Sequence, residues 1–242
     1  MNIQPNTVHL KDCFELLKGI GDKTADLVLL DPNYQDWDDL IAKGIIEEAR
    51  RLLKPTGNIL LFTKKPYDLN LRVKVDPIFR NEIIWKYKKN GNWYSTRMPI
   101  YTYQKIYWCC GESFFYNQQT GIPQAGEEEQ AMMETMTLGQ FIGYRLDEPL
   151  WSCEGRYRGG RVLKDFLDIP RSRENKTIPT KPIELCQILL RCFCPVGGLV
   201  VDPFMGGGNF ILTAHKEGRQ FIGGDIDESC FRLANEKVFL NL

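Results

Sequence analysis

The segment LVVDPFMGGG, residues 199–208, joins a short apolar run to a cluster of glycines. Its first three residues have the composition of a buried strand, and a helix is predicted from residue 210 to residue 217. Glycines that follow a parallel strand let the backbone turn sharply and approach a ligand closely. The segment therefore predicts a strand, a ligand-binding turn and a helix within an α/β sheet.

The next predicted strand, residues 220–224, ends in Asp225-Ile226-Asp227. A carboxylate at this place can accept hydrogen bonds from both hydroxyls of a ribose. Together with the glycine turn it indicates a nucleoside-cofactor site. No Gly-Lys-Ser/Thr follows, which excludes a P-loop, and Ile211 at the third glycine position makes the turn a poor dinucleotide fingerprint. The alternative is structural: the glycines only form a turn, and Asp225 caps a helix.

A second motif, Asp31-Pro32-Asn33-Tyr34, follows the apolar run of residues 25–30. That run predicts a buried parallel strand, and ligands of open α/β sheets bind beyond the carboxyl ends of the strands. The Asp31 carboxylate and the Pro32 carbonyl could accept hydrogen bonds from an exocyclic amine, and Tyr34 could stack on the ring that carries it. A simple strand-ending turn is the alternative for this tetrapeptide alone.

The rest of the chain alternates strands and helices, apart from a middle region of unusual charge, and this alternation predicts one α/β sheet. The further predicted elements are a helix at 38–53, a turn at 54–57, strands at 58–62 and 78–87, and a helix at 182–193.

Composition limits the function classes. The chain has 242 residues, 43% hydrophobic and 26% charged, as in one globular domain. Lys+Arg and Asp+Glu both number 31, so a strongly basic coat is excluded and positive charge that meets nucleic acid must be local. The cysteines lack C-x-x-C spacing, and no metal is expected. No secretory leader and no membrane-spanning apolar run are recognised, so a cytoplasmic protein with reduced thiols is expected.

With the tetrapeptide ahead of the glycine loop, the chain resembles the β group of AdoMet-dependent amino-methyltransferases of DNA. In that family an Asp/Asn/Ser-Pro-Pro-aromatic tetrapeptide precedes a D-P-F-x-G-x-G cofactor loop, and the recognition region lies between them. The resemblance implies a Rossmann-like α/β methyltransferase fold with a central, mostly parallel sheet and a circularly permuted motif order. Shorter matches extend it over most of the chain: residues 9–17 to the opening strand and turn, 51–57 to the LKPGG turn, 179–182 to the HPTQKP segment and 221–227 to FIGIEID.

The resemblance also implies the site residues. The chain departs from the family pattern at several positions: Asn33 replaces a second proline, Ile178 replaces the histidine of HPTQKP and the Gln of that segment is missing, and Asn209 replaces Thr or Ser. The implied catalytic residues are Asp31, Pro32, Asn33 and Tyr34. The implied AdoMet-binding residues are Asp12, Cys13, Asp31, Lys181, Asp202, Phe204, Gly206, Gly208, Asp225 and Ile226.

Residues 88–178 are predicted to be a target-recognition insert within a single methyltransferase domain, residues 1–242. Residues 85–111 lack acidic side chains, and residues 156–181 are again basic. Basic side chains would contact phosphates, and arginine pairs with guanine through two hydrogen bonds. A solvated surface side chain is the alternative for each of them. The candidate DNA contacts are Lys88, Lys89, Arg97, Arg156, Arg158 and Arg161.

The resemblance implies methyl transfer from AdoMet to the N6 amine of adenine in DNA, at a specific site and after base flipping. Asp31 favours adenine, because N4-cytosine enzymes of the family more often have Ser there, and cytosine N4 stays open as the alternative. Methylation of RNA or of a protein amide, a non-catalytic DNA-binding subunit and a nicotinamide dehydrogenase fit the motifs less well. The expected partner is DNA, a homodimer and a cognate restriction enzyme are left open, and no membrane is expected.

Overall fold

The computed structural model describes residues 3–87, 103–111, 113–117, 166–171, 178 and 180–240. Within these ranges the chain forms a central sheet with helices on both faces. The strands are β1 (Thr7–Leu10), β2 (Ala25–Leu30), β3 (Leu53–Thr63), β4 (Phe79–Lys86), β5 (Tyr103–Cys110), β6 (Phe166–Asp168), β7 (Leu199–Asp202) and β8 (Gln220–Asp225). The helices are α1 (Cys13–Lys18), α2 (Trp37–Ala42), α3 (Ile45–Leu52), α4 (Asp68–Val75), α5 (Ile183–Phe193), α6 (Asn209–Lys216) and α7 (Glu228–Asn235).

The sheet has the strand order β1-β8-β7-β2-β3-β5-β4-β6. Neighbouring strands are parallel except where β5 pairs with β3 and with β4, so β5 alone opposes the other described strands. The central strands β2 and β7 are buried along their whole length, which is why they consist mostly of apolar residues. The predicted mostly parallel α/β sheet is confirmed.

Strands β2 and β7 lie side by side where the winding of the chain reverses. Leu27 pairs with Val200, and Val28 pairs with Val201. From β7 the chain crosses to β8 on one side, whereas from β2 it crosses to β3 on the other side. Such a reversal opens a crevice at the carboxyl ends of the two strands, where ligands bind in open α/β sheets. Both predicted motifs follow directly from these strands.

The hydrophobic core occupies both faces of the sheet. On one face, buried side chains of α1 to α4 pack together with Val28, Leu30 and Ile59. On the other face Phe62 meets Phe210 of α6 edge to face, with ring centroids 5.8 Å apart. In the part of the chain that the structure describes, no helix is both long and apolar enough to cross a membrane.

Two predicted elements differ from the structure. The helix expected at 38–53 is two helices, α2 and α3, because Gly44 between them has a left-handed φ of +88°. Residues 54–57, expected as a turn, belong to β3. The pairing shifts from Ala25–Leu53 to Leu27–Asn58, so these residues bulge out of the ladder instead of ending it.

Strands β5 and β6 fall within residues 88–178 and belong to the sheet. By compactness the chain divides into two units. One comprises Met1–Phe115 and Lys164–Leu242, and the other comprises Tyr116–Leu163. The recognition role of residues 88–178 stays a prediction. The candidate DNA contacts Lys88, Lys89, Arg97, Arg156, Arg158 and Arg161 all lie outside the described residues.

Candidate active site

The tetrapeptide Asp31 to Tyr34 leaves the carboxyl end of β2 and enters a 3-10 turn at Tyr34–Asp36. The Tyr34 hydroxyl donates a hydrogen bond to Asp31 Oδ1 at 3.2 Å. Pro32 is buried and Asn33 is exposed, while Asp31 and Tyr34 are half-buried. The motif therefore presents its acid and its ring together at the edge of the sheet.

Lys181 is the partner of Asp31. Its ammonium donates to Asp31 Oδ2 and lies 4.8 Å from the centroid of the Phe62 ring. The side chain of Lys181 is 15% exposed and that of Asp31 is 21% exposed, so water has limited access to the pair. The resemblance implied that Lys181 borders the cofactor, and the structure brings it onto the predicted catalytic acid.

Burial and a neighbouring positive charge shift the pKa of Asp31 in opposite directions. Burial raises the pKa of the Asp31 carboxyl, and the positive charge and hydrogen bond of Lys181 counter that rise. Burial and the neighbouring Asp31 carboxylate raise the pKa of Tyr34, so its hydroxyl stays protonated and donates to Asp31.

Aromatic and cationic side chains lie near Tyr34 of the tetrapeptide, among them Lys64, Tyr87 and Arg171. The Lys64 ammonium lies 5.4 Å from the centroid of the Tyr34 ring. Tyr87, just after β4, packs on Trp85 with centroids 5.3 Å apart, and the Arg171 guanidinium lies 3.8 Å from the centroid of Tyr87. Sequence reasoning did not assign Tyr87 and Arg171 to the site. The feature that could have indicated them is their position at the carboxyl ends of β4 and β6, because these strands run parallel to β2.

The glycine loop after β7 is hydrogen-bonded to Asp225, the last residue of β8. The Gly206 backbone N–H donates to Asp225 Oδ2 at 2.9 Å. The Asp227 N–H donates to Asp225 Oδ1, also at 2.9 Å. Asp227, and not Asp225, caps α7, because the Asp227 side chain accepts the Cys230 N–H. The helix-cap alternative for Asp225 is therefore wrong.

Asp202 stands at the end of β7, where it is almost fully buried. One of its oxygens accepts the Phe204 N–H at 3.1 Å. Burial raises the pKa of Asp202 to about 8, and the neighbouring carboxylates of Asp31 and Asp225 add to the rise. Burial also raises the pKa of Asp225. The crevice therefore carries three carboxyl groups and disfavours negative charge.

The remaining predicted cofactor residues border Asp225 on the neighbouring strand. Leu10 of β1 pairs with Asp225 of β8, and the chain then turns into α1. Asp12 caps α1 by accepting the Phe14 N–H at 2.9 Å, and Cys13 is buried. The Ile226 side chain is 75% exposed beside Asp225 and offers apolar surface.

These residues fit a nucleoside with a positive charge. A carboxylate has about four acceptor positions, and the backbone N–H groups of Gly206 and Asp227 take one on each oxygen of Asp225, so acceptor capacity remains for ribose hydroxyls. Thr180 Oγ1 is buried and has no hydrogen-bond partner among the described residues. Buried polar groups are normally paired, so this hydroxyl is suited to a ligand. The three carboxyl groups complement a cation.

Comparison with known proteins identifies the family. The family model described as DNA methylase, N6_N4_Mtase, matches residues 24–236. A DNA adenine methyltransferase of Escherichia coli K12, YhdJ, is 24% identical over 97% of this chain and 83% of its own length. The type II methyltransferase M1.MboII of Moraxella bovis is 22% identical over 96% of both chains.

Solved structures show the same fold. The PvuII DNA methyltransferase, named cytosine-N4-specific, superposes with a TM-score of 0.68 at 14% identity, over 98% of this chain and 87% of that one. Because the family model spans most of the chain, from the strand before Asp31 to the helix after Asp225, the match includes both motifs. The chain belongs to the N6/N4 family of DNA methylases.

Proposed function

We propose that this chain transfers a methyl group from AdoMet to the N6 amine of adenine in DNA. The observation that carries the proposal is the Asp31 carboxylate beside the crevice between β2 and β7, next to the glycine loop. Membership of the DNA methylase family supports the reaction class. The relative named DNA adenine methyltransferase supports adenine.

AdoMet fits the crevice by its chemistry. Asp225 would hold the ribose, with Ile226 and Cys13 near the adenine ring, while the loop from Asp202 through Phe204, Gly206 and Gly208 lines the site. Bound AdoMet supplies a methyl group that its sulfonium charge activates for transfer. The carboxyl groups of Asp31, Asp202 and Asp225 favour that positive charge.

The target amine would meet Asp31 and the Pro32 carbonyl. Each can accept one N–H of the amine, which favours a more tetrahedral nitrogen with a free lone pair. The residues position the amine and need no covalent intermediate. A base inside a duplex is out of reach, so it must be flipped at a cost of a few kcal/mol. Stacking on Tyr34 would return about 1–3 kcal/mol.

Cytosine N4 is the second candidate. The fold similarity to a methyltransferase named cytosine-N4-specific favours it, and the amine of cytosine could use the same two acceptors. Asp at the first position of the tetrapeptide favours adenine in the resembling family. DNA recognition by residues 88–178, a homodimer and a cognate restriction enzyme are further predictions of the same proposal.

The test is transfer of labelled methyl from AdoMet to unmethylated genomic DNA, followed by nucleoside analysis. Asp31→Ala should lower transfer on the order of 10²–10³-fold while AdoMet binding is mostly kept. Asp39→Ala is the matched control, because Asp39 is an exposed carboxylate that forms an ion pair with Lys43 at 2.7 Å. Label in N4-methylcytosine would overturn the choice of base. Normal transfer by Asp31→Ala would overturn the mechanism.

A further inference from the structure

In the proposed reaction Asp31 accepts a hydrogen bond from the target amine, and the lysine bound to Asp31 has no role yet. The Lys181 ammonium donates to Asp31 Oδ2, and Tyr34 donates to Oδ1. The two contacts come from different parts of the chain, one from the segment before α5 and one from the loop after β2. Each oxygen of the carboxylate is therefore held by its own donor.

We propose that Lys181 is a positioning residue for methyl transfer, which keeps the Asp31 carboxylate charged and fixed in the plane that faces the target amine. This inference rests on the proposed function and deepens it. It gives Lys181, which the resemblance assigned to the cofactor, a role at the predicted catalytic acid.

The acceptor count supports this role. A carboxylate has about four acceptor positions, and Lys181 and Tyr34 take one on each oxygen. The positions that remain can receive an N–H of the amine without displacing either donor. Two donors on two oxygens also fix the rotation of the carboxylate, which a single contact would leave free.

The titratable groups that face Asp31 give Lys181 a second role. Asp202 at the end of β7 is a neighbouring acid, and Cys186 on α5 is a buried thiol whose pKa is raised well above its usual value. Tyr34 on the loop itself is neutral. Lys181 supplies the positive charge that opposes burial and the acidic neighbour. Without it, the Asp31 carboxyl would take up a proton more readily and accept hydrogen bonds less well.

The backbone around Lys181 is held firmly enough for positioning. The Asn209 side-chain amide donates to the Lys181 carbonyl at 2.8 Å, and Asn209 Oδ1 accepts the Lys237 ammonium at 2.7 Å. Pro182 follows at the N-cap of α5. The lysine ammonium also lies near the rings of Phe62 and Trp85, with centroid distances of 4.8 and 5.9 Å. Asn209, a departure from the family pattern, thus holds the lysine segment.

The experiment compares Lys181→Gln with Lys181→Arg in single-turnover methyl transfer across a pH series. Lys181→Gln should lower the rate at neutral pH at least about tenfold and move the acidic limb of the pH profile upward, because Asp31 loses its counter-ion. Lys181→Arg should have a pH profile of the transfer rate close to that of the wild type. The AdoMet dissociation constant, measured by calorimetry, should stay nearly unchanged in both variants.

The matched control is Lys64→Gln, which removes a positive charge near Tyr34 but not the one bound to Asp31. Its pH profile should keep the wild-type shape. A Lys181→Gln variant with a wild-type pH profile would overturn the inference. So would a loss of rate that follows a parallel loss of AdoMet binding, which would make Lys181 a cofactor ligand.

A second measurement separates this inference from the proposed function. If the wild-type protein transfers no methyl to DNA, the proposed function fails, but the Asp31 carboxyl can still be titrated in the free protein by isotope-edited infrared spectroscopy. Asp31→Asn identifies its band. A higher Asp31 pKa in Lys181→Gln, reversed in Lys181→Arg, would support the control of Asp31 by Lys181. An unchanged pKa would contradict it.

Discussion

The Gly206 N–H donates to Asp225 Oδ2 over 2.9 Å, and this bond joins the loop after β7 to the end of β8. Both oxygens of Asp225 are oriented by backbone donors, the second by Asp227 N–H. A carboxylate oriented in this way needs no rearrangement to accept the hydroxyls of a ribose. The loop and the acid therefore act as one preformed site.

Asp225→Ala should weaken AdoMet binding about 10–100-fold, because it removes the acceptor of the ribose hydroxyls. Hydrogen bonds to a charged group contribute about 1.5–3 kcal/mol each, and some of the loss is offset by water. Calorimetric titration of the purified protein with AdoMet measures the change directly. Thermal-shift protection by AdoMet should fall in parallel.

Asp227→Ala is the control for that variant. Asp227 is exposed and caps α7 through the Cys230 N–H, so its loss should cost about 1 kcal/mol of stability and leave AdoMet affinity nearly intact. If Asp225→Ala and Asp227→Ala weakened AdoMet equally, the ribose role of Asp225 would be wrong.

Gly208→Ala should destabilise the protein strongly. Gly208 has a φ of +77°, and an added Cβ would lie 2.6 Å from the Cβ of Ala234 and 2.9 Å from its Cα. The left-handed conformation alone costs about 1–2 kcal/mol for a residue with a side chain. Overlap with the backbone of α7 should add about 1–3 kcal/mol. Urea unfolding of the two proteins gives the difference.

Gly197 provides a matched comparison for Gly208. It has the same φ of +77°, but an added Cβ would meet nothing within 4 Å. Gly197→Ala should therefore cost only the backbone strain of about 1–2 kcal/mol. Equal losses of stability in the two variants would show that the contact with Ala234 does not matter.

The features that could be predicted from the sequence are the strands and motifs that depend on apolar runs and turns along the chain. The apolar runs that became β2, β7 and β8 were located closely because strands buried on both faces are made mostly of apolar residues. The two motifs were predictable because a parallel strand sends its next residues to the ligand-binding edge. The break at Gly44 was missed, since apolar spacing continues from α2 into α3.

The sequence did not predict contacts between distant segments. Nothing near Lys181 indicates that its ammonium would reach Asp31, because the contact depends on how α5 packs over the sheet. Tyr87 and Arg171 likewise meet only when β4 and β6 pair in parallel. Such contacts are properties of the tertiary fold, and their residues look like ordinary surface charges and strand ends in the sequence.

Asp202 should make the stability of the free protein fall as the pH rises. Burial raises its folded pKa from 3.8 to about 8, so between these values the folded state binds more protons than the unfolded state. Under proton linkage the free energy of unfolding then decreases with increasing pH across this window. Asp202→Asn removes the titrating group and keeps an oxygen for the Phe204 N–H.

Wild type and Asp202→Asn should therefore have similar stability in acid, and the variant should become the more stable protein as the pH approaches about 8. Urea unfolding at a series of pH values without AdoMet measures the two curves. Asp227→Asn is a control of opposite sign, because the Cys230 N–H lowers the pKa of Asp227 and its contribution appears as the pH rises. Parallel curves for wild type and Asp202→Asn would mean that Asp202 is ionised in the folded protein throughout. Asp202 would then contribute its negative charge to the crevice before any cation binds.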